Sequence, residues 1–92
     1  MTQKRRVVIA EDEAVIRLDL TGLLEDAGYE VVAAVTDGQA AIEAVEQLHP
    51  DLILMDVAMP ILDGVTAAAR ITERRLCPVV MVTAYSQVAV SY

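Results

Sequence analysis

Three carboxylates in this chain stand where short apolar runs end. Val7-Val8-Ile9-Ala10 runs into Glu11-Asp12, and Leu52-Ile53-Leu54-Met55 runs into Asp56. If the two runs are neighbouring parallel strands, the acids converge at the carboxyl edge of a sheet, where open α/β sheets place their ligands. Carboxylates crowded together are unfavourable unless a cation lies among them. A hard divalent ion such as Mg2+ takes oxygen ligands and keeps several waters, so two or three carboxylates suffice to hold it. Taken singly, each acid also has an ordinary reading. Glu11 and Asp12 fit a solvated helix start, where the macrodipole favours negative charge, and Asp56 fits a turn.

Two further stretches flank these acids. In Met59-Pro60-Ile61-Leu62-Asp63-Gly64, Pro60 fixes the backbone after Asp56, and Asp63-Gly64 supplies a turn or helix start. Alone, that is loop punctuation. At Thr83-Ala84 a hydroxyl could donate to a phosphoryl oxygen while the small Ala84 leaves room for it. A lone Thr at a strand end is more often β-propensity. Specificity lies in the conjunction.

The elements that must position these residues follow from periodicity. Arg6 to Ala10 reads as a buried strand. From Glu13, Ile16, Leu20, Leu23, Leu24 and Ala27 fall on one helical face, with Asp12 as a candidate cap and Gly28 as the stop. Val31 to Val35 is a second strand, closed by Thr36-Asp37-Gly38. Ala41, Ala44, Val45 and Leu48 mark a second helix, ended before His49-Pro50 because the residue preceding proline avoids helical angles. Asp51 to Met55 is the third strand. Gly64 to Arg75 forms a third helix with Val65, Ala68, Ala69 and Ile71 inward, and Pro78 to Thr83 is the fourth strand. Strands alternating with helices imply βαβ units, right-handed crossovers and a parallel sheet within one domain.

Composition narrows the function. Fourteen acids face seven Lys and Arg, a formal charge of −7, which opposes nucleic acid and anionic membrane as direct partners and suits Mg2+ or a basic partner. Trp and Phe are absent, so no aromatic platform stacks bases. One cysteine, Cys77, excludes an internal disulfide, fits a reducing cytoplasm, and reads as a buried spacer beside Pro78. No apolar stretch approaches the roughly 20 residues of a membrane span. His49 reads as a helix-dipole partner rather than a metal ligand. Arg70, Arg74 and Arg75 with Glu73 read as a solvated helix end, with a partner contact as the alternative.

Ile9-Ala10-Glu11-Asp12-Glu13, Asp56-Val57-Ala58-Met59-Pro60 with Asp63-Gly64, and Val82-Thr83-Ala84 together resemble the receiver domain of bacterial two-component response regulators. The resemblance covers about Arg6 to Tyr85. It implies a flavodoxin-like (CheY-like) doubly wound parallel sheet in the order 2-1-3-4-5. In this sequence that means four strands and three full helices, without the fifth strand and last helix. It further implies phosphorylation of Asp56 by a sensor histidine kinase, and Mg2+ held by Glu11, Asp12, Asp56 and the backbone carbonyl of Ala58. Thr83 becomes the hydroxyl that moves toward the phosphoryl group. Ala10 to Ala14, Ile16 to Leu20 and Thr83 to Gln87 are similar to receivers of regulators with an RNA-binding antitermination (ANTAR) output domain.

The family also has a lysine at the end of its fifth strand, whereas the one lysine here is Lys4. The chain therefore reads as a fragment or a shortened receiver whose fourth strand forms an open edge. A homodimer or domain-swapped dimer through that edge is expected. Two alternatives stand beside the phosphoacceptor: a degenerate receiver that pairs with partners independently of phosphorylation, and a Mg2+-dependent phosphohydrolase. For the latter, no second catalytic acid beside Asp56 is evident.

Overall fold

Hydrophobic runs of four to six residues form the strands, and each of the first three is followed by a helix that folds back over the sheet. The computed structural model describes residues 3–82. In chain order the elements are β1 (Arg6–Ala10), α1 (Ala14–Asp26), β2 (Glu30–Val35), α2 (Gly38–Leu48), β3 (Leu52–Asp56), α3 (Gly64–Glu73) and β4 (Val79–Val82). All pairings are parallel and the sheet runs β2-β1-β3-β4, the expected doubly wound order. Thr83, the segment after it and any fifth strand lie outside the described residues.

β1 is central, and its run Val7-Val8-Ile9-Ala10 is buried on both faces, as an interior parallel strand requires. Strand alternation puts Val8, Ala10, Ile53 and Met55 on one face, in a core with Ala41, Ile42 and Val45 of α2 and Ala67 and Ile71 of α3. The other face is covered by α1, which packs on β1 and β2. No residue of α1 is fully buried. Ile16, Leu20 and Leu24 are half-buried, but Leu23 and Ala27, expected inward, are exposed.

Helix α3 also differs from its sequence reading by a small rotation. Its inward stripe is Gly64, Ala67, Ala68 and Ile71, at the i, i+3, i+4, i+7 spacing, while Val65 and Ala69 face outward. The stripe starts at Gly64 because α3 must approach the end of β3 closely there.

Helix ends are closed locally. Asp37 caps α2 by accepting from Ala40 N at 2.8 Å, and Asp63 caps α3 by accepting from Thr66 N at 2.8 Å. The residue flanking α1 is Glu13, which makes no side-chain cap, so Asp12 does not serve as one. His49 caps the C-terminus of α2 at φ 48°, and Arg6 supplies hydrogen bonds to the carbonyls there. The Arg6 guanidinium donates to the Leu48 carbonyl at 2.7 Å and the His49 carbonyl at 3.2 Å, a cation at the negative helix end. No helix among the described residues is long and apolar enough to cross a membrane.

Candidate functional site: an acidic cluster at the carboxyl rim

Because β1 and β3 are paired in register, with Ala10 opposite Met55, their C-terminal acids emerge side by side. Glu11, Asp12 and Asp56 each offer a carboxylate oxygen, and these atoms lie within 4.8 Å of one another. The sequence placed these three together, and the fold brings them together. Ala58 follows two residues after Asp56 in the exposed start of the β3–α3 loop.

Glu11 is held at almost every polar atom. Its amide donates to Val35 O at 3.0 Å, joining the end of β1 to β2. Its carbonyl accepts from Arg17 Nη1 at 2.9 Å, and its Oε2 accepts from Glu13 N at 3.0 Å. The residue is only 1% exposed, yet Oε1 is buried without a hydrogen-bond partner. A buried, unpartnered carboxylate oxygen costs free energy unless a donor or cation reaches it. Together with Asp12 and Asp56 it forms an all-oxygen donor set of the kind Mg2+ takes. The residues present fit that ion.

The electrostatics agree with the geometry. Burial pushes the Glu11 carboxyl above its ordinary value; the Glu13 amide pulls it back, and the charges of Asp56 and Asp12 raise it further. Asp56 is raised first by burial and also by the charge of Asp12, against lowering bonds from the Ala58 and Val57 amides. Two members of the cluster thus resist ionisation, which a divalent cation would reverse.

The loop after Asp56 is fixed by backbone contacts. Val57 N donates to Val82 O at 3.3 Å, and Gly64 N donates to Val57 O at 3.0 Å. A Cβ at residue 64 would overlap the Asp56 carbonyl oxygen, with the carbonyl carbon at 2.8 Å. Gly64 is therefore required by space and not only by turn geometry. Arg17 and this role of Gly64 escape a reading of the sequence. Arg17 falls in an amphipathic helix pattern where an arginine signals nothing, and its target is a main-chain carbonyl. Thr83, the expected switch hydroxyl, lies outside the described residues.

A receiver-type sheet with clustered acids at its carboxyl rim defines the class, and comparison with known proteins agrees. Residues 7–91 match the response regulator receiver domain family, and the chain belongs to it. It is 53% identical to the transcriptional regulatory protein PdtaR of Mycobacterium tuberculosis, over 90% of this chain and 40% of that protein. The chain thus spans well under half the length of this relative. Among solved structures, the signal receiver domain of the response regulator NarL from M. tuberculosis superposes with a TM-score of 0.86 at 30% identity, covering 96% of this chain and 73% of that one. The receiver domain of the sensor histidine kinase PA1611 from Pseudomonas aeruginosa, solved with magnesium coordinated in its active-site cleft, superposes with a TM-score of 0.81. Its identity is 31%, covering 94% of this chain and 72% of that one. The chain is a receiver domain of the two-component response regulator type.

Proposed function

We propose that this receiver accepts a phosphoryl group on Asp56 from the phosphohistidine of a sensor histidine kinase, with Mg2+ held by Glu11, Asp12, Asp56 and the Ala58 carbonyl. The observation that carries the reading is the Glu11–Asp12–Asp56 cluster with its buried, unpartnered Glu11 Oε1. An Asp56 carboxylate oxygen attacks phosphorus as the P–N bond breaks, and the departing imidazole nitrogen keeps the electron pair and takes up a proton. When bound, the ion supplies positive charge against the phosphoryl oxygens. Glu11, anchored through its amide, carbonyl and Oε2, holds its remaining oxygen in place for the ion. Gly64 lets α3 back the Asp56 carbonyl, fixing the direction from which the nucleophile acts. Thr83 is the proposed switch hydroxyl on sequence grounds.

The test is labelling by a small phosphodonor. Mg2+-dependent incorporation that Asp56→Asn abolishes is expected. Dimerisation with no response to Mg2+ or to a phosphodonor would overturn the reading in favour of a phosphorylation-independent interaction module.

The identity to a transcriptional regulatory protein, with the ANTAR-like stretches, supports an output in transcription control, exerted in the cytoplasm by parts other than this acidic domain. A second copy is the proposed partner along β4. Among the described residues β4 is paired on its β3 side alone, with Val80 49% and Met81 39% exposed. Sedimentation over a range of concentrations should show a monomer–dimer equilibrium, and a monomer throughout would remove that partner.

A further inference from the structure

Gly38 opens α2, on the far side of β1 from the strand that carries Asp56. Conformational freedom does not explain it: among the described residues the glycine with positive φ is Gly28. Space does. The buried Gly38 donates its amide to the Leu62 carbonyl at 2.9 Å. A Cβ at 38 would overlap that same oxygen, with the Leu62 carbonyl carbon at 2.8 Å and the Asp63 oxygen at 3.1 Å.

The loop gripped in this way has little freedom to yield. Leu62 N donates to Pro60 O at 2.7 Å, closing a three-residue turn on Ile61, whose φ is 67°. Such a turn is rare and strained, more so on a β-branched residue. Beyond Leu62 the chain is pinned where Gly64 meets the Asp56 carbonyl. A push on Leu62 is therefore passed back along the short span that carries Ala58 and Asp56.

We infer that Gly38 is a positioning residue for the acidic site. By holding the Leu62 carbonyl from the start of α2, it sets the course of the loop that presents the Asp56 carboxylate and the Ala58 carbonyl. Bulk at this position lowers the site's affinity for a divalent cation. The inference rests on the reading of Glu11, Asp12 and Asp56 as a Mg2+ site. It extends that site to a turn whose sequence, Thr36-Asp37-Gly38, otherwise reads as the close of a strand.

Titration calorimetry with Mg2+ on the full chain and on Gly38→Ala is the test. The variant should bind roughly tenfold more weakly, the scale seen when supporting contacts of a metal site are removed. Adding Ile61→Gly, which lets the loop take another path, should restore most of that loss. Equal affinity in Gly38→Ala overturns the inference, as does a loss that Ile61→Gly leaves untouched, because damage confined to α2 would behave so. If Gly38→Ala does not fold, the parent chain decides. Coupling is reciprocal, so saturating Mg2+ should slow hydrogen exchange at the Gly38 amide, and unchanged exchange overturns the inference. Failure of the parent chain to bind Mg2+ at all would instead bring down the underlying reading of the acidic cluster, and the inference with it.

Discussion

The two rims of the sheet are finished in opposite ways. At the amino rim, Arg6 donates its backbone amide to Asp51 at 2.7 Å and its guanidinium to the carbonyls that end α2. Each of these charges meets a hydrogen-bonding amide or a dipole of the right sign. At the carboxyl rim three like charges converge and one buried oxygen has no partner. The chain satisfies its own polar groups at the first rim and leaves a buried carboxylate oxygen without a partner at the second, where the proposed ion would reach it. Carboxyl groups whose ionisation is opposed by burial and by neighbouring like charges are characteristic of functional sites.

Substitutions can break this contrast. The largest effect is expected from Gly64→Ala, because the new Cβ meets the Asp56 main chain rather than a flexible side chain. A loss of about 3 kcal/mol, the upper range of overpacking, should appear as a fall in Tm on the order of 15 °C. An unchanged Tm would show that α3 does not bear on Asp56. Next comes Arg6→Ala at the other rim. Removing charge-assisted bonds to the end of α2 should cost about 2 kcal/mol, by the same amount with or without Mg2+. A Mg2+-dependent loss, measured by thermal melts, would mean the two rims are not independent.

These contrasts also explain what the sequence makes legible. The position of each strand and helix follows from apolar periodicity, the meeting of Glu11, Asp12 and Asp56 from apolar runs that end in acids, and the strand order from the resemblance to receiver domains. Main-chain recognition is harder to see. Arg6, Arg17, Gly38 and Gly64 all act on carbonyl groups, which every residue carries, so no partner residue type betrays them. Helix ends show the same limit. Gly28 marks the end of α1, where Gly28 N bonds Glu25 O and Tyr29 N bonds Leu24 O. Helix α3 ends at Glu73 by an equivalent pair, Arg75 N to Thr72 O and Leu76 N to Ile71 O, with Arg75 at φ 54°. No glycine signals that stop, so the periodicity reads on to Arg75. On α1, the apolar pattern marks Leu23 and Ala27 as inward, but one helix covers that sheet face among the described residues and both remain exposed.

A smaller effect, of opposite sign, is expected at the carboxyl rim when charge is removed. Glu11 and Asp56 have raised carboxyls in the fold, above ordinary values of 4.5 and 3.8. Between those values and the raised ones the folded chain holds protons that the unfolded chain has released. Stability of the metal-free protein therefore falls as pH rises through that window and stays lower above it. Glu11→Gln should flatten the slope and stabilise the metal-free chain at neutral pH by about 1 kcal/mol, while weakening Mg2+ binding. Loss of stability in Glu11→Gln without metal would show that the buried carboxylate is already compensated within the chain.

The smallest effect concerns positive φ at the amino rim. Arg75 closes α3 in the left-handed region, where an L side chain costs roughly 1–2 kcal/mol. Glycine would remove that cost but brings back chain entropy of roughly 0.5–1 kcal/mol in the unfolded state. Arg75→Gly should therefore gain only about 0.5 kcal/mol, the small remainder of those two terms. The gain should be independent of Mg2+, because the α3 terminus lies at the start of β4, away from the acids at the end of β3. Melting curves of Arg75→Gly and the parent, each with and without Mg2+, measure both quantities. A shift that grows when Mg2+ is added would connect this helix end to the acidic rim and dissolve the distinction between a self-satisfied edge and a ligand-dependent one.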